Sequence, residues 1–221
     1  LDKMGVLIFR NQKITDEEQL KFTKVFGEIE LAKGGNVTQE KDRRLNVQMA
    51  DVSNIDKSGV LFDRTDRRRM FNLGNRLWHS DSSYRVIPAK CSLLSCRSVP
   101  SVGGNTEFAF MPAAYDALDP SVKQEIEGLI AEHSLIYSRG QLGFADFSEK
   151  EKEMFTPVRQ ALVRRNEFTD RKSIFLSSHI GNIVGWEMPE ARDFIRELME
   201  HSTERRFVYA HEWSVGDLVI W

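Results

Sequence analysis

The sequence predicts a mostly β chain with helices inserted between short strands, a sandwich or barrel rather than a strictly alternating parallel sheet. Three observations carry this. Short apolar runs of strand length recur in both halves of the 221 residues. Helical periodicity is confined to segments between them. The apolar fraction of 41%, with no Pro/Gly-rich linker and no internal repeat, suits one core.

In chain order, Val6-Leu7-Ile8-Phe9 reads as a short buried strand. Thr15-Asp16-Glu17-Glu18 is a capping box, and the helix it starts places Phe22, Val25 and Phe26 on one face. Leu45, Val47 and Met49 alternate with polar residues, the mark of a half-buried strand. Asp119-Pro120 opens a helix that carries Val122, Ile126, Leu129 and Ile130. Ser134 to Tyr137 and Ser173 to Leu176 read as strands, and Ala191, Phe194, Ile195, Leu198 and Met199 form an amphipathic helix. Phe207 to Trp213 and Leu218 to Trp221 read as two strands joined by a turn at Gly216-Asp217.

The composition excludes several classes. A formal net charge of −2 lacks the basic excess of a general nucleic-acid binder. No apolar run approaches the roughly 18 residues of a membrane span, and no secretory signal is visible. Cys91 and Cys96 are too few for a disulfide framework and lack metal-site spacing, so core packing and a reducing cytoplasm are expected. Asn36-Val37-Thr38 fits a glycosylation pattern but carries no weight without export.

The chemistry concentrates in Gly74-Asn75-Arg76-Leu77-Trp78-His79-Ser80-Asp81-Ser82-Ser83-Tyr84. On a strand, residues two apart face the same side. His79 and Asp81 would therefore bring an imidazole nitrogen and a carboxylate to one point. A further histidine would complete the two-histidine, one-carboxylate set of non-haem Fe(II) oxygenases. A histidine paired with a carboxylate purely for packing fits the same tripeptide. Downstream, Gly103-Gly104 permits a tight turn before Thr106, whose hydroxyl can face a ligand carboxylate or simply begin a strand.

Leu77-Trp78-His79-Ser80-Asp81-Ser82-Ser83, Pro88-Ala89-Lys90, Ser92-Leu93-Leu94, Gly103-Gly104-Asn105-Thr106-Glu107-Phe108, Ala114-Tyr115-Asp116-Ala117-Leu118 and Val215 to Trp221 together resemble the taurine dioxygenase family of Fe(II)/2-oxoglutarate-dependent oxygenases, and within it the 2,4-dichlorophenoxyacetate dioxygenase branch. The resemblance implies a double-stranded β-helix (a jelly roll, cupin-like). It makes residues 1–221 one catalytic domain, expected to be truncated at both ends. It implies Fe(II) as cofactor and 2-oxoglutarate as cosubstrate. His79 and Asp81 become metal ligands and catalytic residues. Thr106 would bind the distal carboxylate of 2-oxoglutarate, and Trp221 would pack beside that cosubstrate. Asn75, Ser82 and Tyr84 would line the substrate pocket. The second histidine and an arginine for 2-oxoglutarate are expected beyond Trp221.

The implied reaction consumes O2, converts 2-oxoglutarate to succinate and CO2, and hydroxylates a small anionic substrate. For an aryloxyacetate the products are a phenol and glyoxylate. The alternatives are an inactive member of the fold acting as a binding module, and a zinc hydrolase on the same barrel. The helix faces leave room for a dimer or tetramer.

Among the other histidines, His133 suggests packing or surface, and His179 a strand end with a possible pocket role. His201 suits a helix C-terminus, and His211 a solvated strand position. Arg64, Asp66, Arg67, Arg68 and Arg69 form a charged loop that is either solvated or, with Lys41, Arg43 and Arg44, turned toward an anionic substrate.

Overall fold

The computed structural model describes residues 1–32 and 37–221, so Asn36 of the glycosylation pattern lies outside the described residues. Ten short strands and seven α-helices are present among them. Strand β1 (Leu7–Phe9) pairs antiparallel with β10 (Leu218–Ile220), whose other edge takes β2 (Leu93–Ser95), in the register Ile8, Val219, Leu94. All three residues of β10 are buried, as its unbroken apolar run requires of a central strand. Strand β3 (Thr106–Ala109) pairs with β9 (Val208–His211), setting Thr106 opposite His211. Strand β4 (Ile130–His133) lies between β5 (Val158–Ala161) and β8 (Ile180–Ile183), and β6 (Val163–Arg165) pairs with β7 (Lys172–Ile174).

The helices are short except for the last. Helix α1 (Asp16–Thr23) starts at the capping box, with Thr15 Oγ1 accepting from Glu18 N at 3.2 Å. It ends sooner than its apolar spacing predicts, so Val25 lies past it and is 76% exposed. Helix α2 (Arg67–Asn72) precedes the His79-Ser80-Asp81 segment; α3 (Met111–Asp116) and α4 (Pro120–Ile126) follow β3. Helices α5 (Leu135–Gln141) and α6 (Glu149–Met154) lie between β4 and β5. Helix α7 (Met188–Ser202) buries Ala191, Ile195 and Leu198 against Leu162, Ile174, Ile180 and Ile183. Each buried Ile or Leu contributes roughly 1.5–3 kcal/mol. A second cluster of Phe71, Leu135, Phe144 and Phe155 ties α2 to α5, with Tyr84 packed against it.

Four expectations are corrected. The Leu45–Met49 alternation makes turns instead of a strand: Asn46 Oδ1 accepts from Gln48 N at 3.0 Å, an Asx turn that ends any extended run. Ser134 to Tyr137 is a helix start: Ser134 Oγ accepts from Ile136 N at 3.1 Å, and the strand is the four residues before it. Helix α4 ends at Ile126, and Ile130, expected on it, opens β4 instead. His211 is fully buried, because the turn at Gly216 (φ +90°) brings Asp217 Oδ2 to 3.2 Å from its Nε2.

His133 is also fully buried, stacked on Phe175 at 5.7 Å, and neither ring nitrogen has a partner among the described residues. Burial pushes its pKa down to about 3. The unfolded chain takes up this proton near its ordinary value of about 6.5, whereas the folded chain refuses it until about 3. Stability is therefore fully present above the ordinary value and falls as pH drops through that window. Urea titrations between pH 7 and 4 should show a loss of the order of 1 kcal/mol per pH unit. His133→Phe should flatten part of that slope; an unchanged slope refutes the assignment.

Candidate metal centre

The segment from Leu77 to Ser80 is extended but belongs to no ladder, and residues 81–84 form a turn. Its conformation is set by its neighbours. Ser178 N donates to Trp78 O at 2.9 Å, Ser80 Oγ to Leu176 O at 2.7 Å, and Ser80 N to Ser177 Oγ at 3.3 Å. The motif thus lies against the residues that lead into His179. Ser82 takes φ +54°, a left-handed conformation uncommon for a residue other than glycine. It reverses the chain directly after Asp81.

The result is convergence. His79 Nε2 lies 3.3 Å from Asp81 Oδ1. Two donors on adjacent corners of an octahedron, with bonds of roughly 2.1 Å, stand about 3.0 Å apart, so the pair fits one divalent ion. The opposite nitrogen of the imidazole is engaged: His79 Nδ1 contacts Leu77 O at 2.7 Å. A carbonyl only accepts, so Nδ1 carries the hydrogen, and loss of the Nε2 proton would leave on Nε2 the lone pair a metal ligand needs. Burial pulls the His79 pKa down, but the hydrogen bond and charge of Asp81 outweigh it and raise the value. Burial pushes the Asp81 carboxyl up, but His79, Ser92 and Trp221 outweigh it and hold the carboxyl below its usual range.

Asp81 is held from behind by the end of the first sheet. Ser92 Oγ donates to Asp81 Oδ2 at 2.6 Å. Ser92 and Trp221 exchange backbone hydrogen bonds (2.8 and 3.1 Å) that prolong the β2–β10 ladder, and the Trp221 side chain also hydrogen-bonds Asp81. Trp221 packs on Phe108 at 5.3 Å. Phe108 and Thr106 share a face of β3, which ties the expected cosubstrate residue to this corner. Thr106 Oγ1 accepts from Trp213 Nε1 at 2.9 Å, so its own hydrogen remains for an acceptor. Gly103 and Gly104 both take positive φ (75° and 84°), the tight turn read from the sequence.

On the other flank Tyr84 is 5.2 Å from the His179 ring, which is 5.7 Å from that of His79. His179 is buried, with Nδ1 2.8 Å from Ser138 Oγ. Its pKa is held well down by burial and by the charges of His79 and Arg139. Asn75 is exposed and accepts from Arg139 Nη2 at 3.0 Å. Among the described residues no three His, Cys, Asp or Glu side chains converge as a metal site, so His79 and Asp81 are a pair.

The charged cluster before the motif is mostly engaged with its own acids: Arg67 with Asp146 (2.8 Å) and Glu151 (2.7 Å), Arg68 with Asp66 (2.7 Å), and Arg44 with Asp51 (3.1 Å). Cys91 and Cys96 are free and half-buried. Sequence reasoning assigned no role to Ser92 or Arg139. Ser92 stands in a recognisable motif but gains a purpose only through Asp81, and Arg139 has no local signal at all.

A strand-rich scaffold that brings one imidazole and one carboxylate within 3.3 Å of each other points to a class, and comparison identifies the family. Residues 1–221 match the family described as taurine catabolism dioxygenase TauD, TfdA family, and the chain belongs to it. It is 42% identical to an alpha-ketoglutarate-dependent 2,4-dichlorophenoxyacetate dioxygenase of Cupriavidus pinatubonensis, across 100% of this chain and 77% of that protein. It is 35% identical to an (S)-phenoxypropionate/alpha-ketoglutarate-dioxygenase of Sphingobium herbicidovorans, across 98% of this chain and 73% of that one. The crystal structure of AAD-2 in complex with Mn(II) and N-oxalylglycine superposes with a TM-score of 0.97 at 55% identity, covering 100% of this chain and 76% of that one.

Residues that orient a metal ligand typically change metal affinity by 10–100-fold. Ser92→Ala should weaken Mn(II) binding about tenfold by calorimetric titration while the melting temperature stays within a few degrees. Unchanged affinity would show that Ser92 does not orient Asp81.

Proposed function

We propose that the protein is an Fe(II)- and 2-oxoglutarate-dependent dioxygenase that hydroxylates an aryloxyalkanoate at the carbon beside its ether oxygen. The resulting hemiacetal breaks into a phenol and an oxo acid, glyoxylate when the substrate is an aryloxyacetate; succinate and CO2 are the coproducts. The observation that carries this reading is the approach of His79 Nε2 to Asp81 Oδ1 (3.3 Å) with His79 Nδ1 occupied by Leu77 O. The identity to aryloxyalkanoate dioxygenases over the whole chain supports the substrate class. The comparisons lend no support to an inactive binding module.

His79 and Asp81 would hold the Fe(II), which when bound supplies O2 activation coupled to oxidation of 2-oxoglutarate. Each remaining task falls to a residue of this chain. Leu77 O keeps the His79 lone pair on Nε2. Ser92, through Oδ2, and Trp221 hold the Asp81 carboxylate in place, which would leave Oδ1 for the metal. Thr106, with its oxygen already accepting from Trp213, donates its hydroxyl hydrogen to the distal carboxylate of 2-oxoglutarate. Tyr84, Ser82 and Asn75 border the substrate, and the apolar cluster of Phe71, Leu135 and Phe144 beneath Tyr84 keeps water from that side.

The small antiparallel sheets are read as parts of one jelly-roll domain over residues 1–221. No helix among the described residues is long and apolar enough to cross a membrane. The free cysteines suit a reducing cytoplasm.

His79→Ala and Asp81→Ala in the full-length protein should each reduce succinate formation from 2-oxoglutarate, Fe(II) and a panel of aryloxy acids by at least about a thousandfold, the cost of losing a ligand to the reacting metal. The assay follows succinate and phenol together. Turnover retained in either variant would refute the metal assignment. Succinate release unaffected by every aryloxy acid would refute the substrate class.

A further inference from the structure

This inference rests on the aryloxyalkanoate reading and concerns what holds the substrate's acid group. Arg139, on α5, is only 3% exposed, and its side chain pairs with no carboxylate among the described residues. The guanidinium donates to two neutral oxygens, Ser138 Oγ and Asn75 Oδ1, each at 3.0 Å. It lies 4.5 Å over the Phe71 ring, and its Nε is buried without a partner. Five N–H donors served by two neutral acceptors leave the group under-filled. Burial lowers its pKa to about 10, which leaves it charged at neutral pH. A buried charge without a counterion is costly and persists where a ligand supplies the missing partner. Arg67 and Arg68, by contrast, each have an acid of their own.

The location is as telling as the charge. A Cβ on Gly74 would stand 2.6 Å from Arg139 Cζ and Nε, so only glycine leaves room for the guanidinium there. Gly74 and Asn75 lie on the segment that runs directly into His79. From its other end, Ser138 Oγ reaches His179 Nδ1 at 2.8 Å, and the His179 ring faces those of His79 and Tyr84. Arg139 thus reaches the His79 segment through Asn75 and the His179 ring through Ser138, on the Tyr84 flank of the candidate centre. Because Asn75 gives its oxygen to Arg139, its amide nitrogen, with two N–H donors, is turned away from the guanidinium on an exposed residue.

We propose that Arg139, with the Asn75 amide beside it, is the specificity-determining residue that binds the carboxylate of the anionic substrate. Charge-assisted hydrogen bonds from the guanidinium edge and from Asn75 Nδ2 hold the acid away from the metal and leave the ether-bearing carbon to face it. Neutral aryl ethers of the same shape lack this anchor.

The test is calorimetric titration of phenoxyacetate and of neutral phenoxyacetamide into the full-length protein loaded with Mn(II) and 2-oxoglutarate. Wild type should prefer the acid. Arg139→Met should weaken the acid at least about thirtyfold while the amide and 2-oxoglutarate change no more than about twofold, and Arg139→Lys should recover part of the loss. Gly74→Ala, which displaces the guanidinium without removing it, should also lower the preference for the acid; it gives the answer if Arg139→Met does not fold. Equal losses for acid and amide, or no loss for the acid, would overturn the inference. Succinate formation by wild type with phenoxyacetate tests the underlying functional reading separately. If wild type binds the acid but does not turn it over, that reading fails, and the binding ratio still decides the role of Arg139. If wild type has no preference for the acid, the inference falls as well.

Discussion

The centre depends on the meeting of one imidazole and one carboxylate that belong to no regular element. His79 and Asp81 stand in an extended segment followed by a turn, and nothing in a ladder fixes their directions. Three separate supports do so instead. The carbonyl of Leu77 sets the imidazole tautomer, the left-handed Ser82 turns the chain back after Asp81, and Ser92 with Trp221 braces the carboxylate from the first sheet. A loop site is accurate only when rigid elements hold it, and here the bracing residues stand at the ends of β2 and β10.

The same economy shapes the surroundings. Strand β10 is buried along its whole length and joins strands from the N-terminal and middle parts of the chain, so the residue that follows it, Trp221, is carried by a firm platform. Strand β3 delivers Thr106 and Phe108 on one face, and Phe108 meets Trp221. On the opposite flank an aromatic cluster carries Tyr84 and underlies Arg139. The His79–Asp81 pair therefore lies between a polar brace on one side and a buried cation on an aromatic floor on the other.

Buried histidines serve different ends in this chain. His79 faces an acid and keeps a raised pKa; His179 faces cations and other imidazoles and stays neutral. His133 has no polar partner among the described residues and is a hydrophobic filler with a latent cost in acid. His211 locks Asp217, which also binds Arg10 at 2.6 Å and so ties the N-terminal strand to the last turn. Residue type alone does not separate these roles; the neighbours do.

Much of this was legible in one dimension. The capping box at Thr15, the helix around Ile195, the glycine turn before Thr106 and the His-x-Asp spacing depend on residues within a few positions of each other, and local sterics and hydrogen bonding decide them. Where a local signal met a stronger competitor it failed: Asn46 capped a turn inside an alternating run, and Ser134 began a helix where apolar residues suggested a strand. The separation of β9 from β10, the burial of His211, the brace of Ser92 on Asp81 and the isolation of Arg139 were decided only by the tertiary structure. Each joins residues distant in sequence or depends on what surrounds a charge, and pair distance and solvent exclusion have no counterpart in the order of residues along a chain.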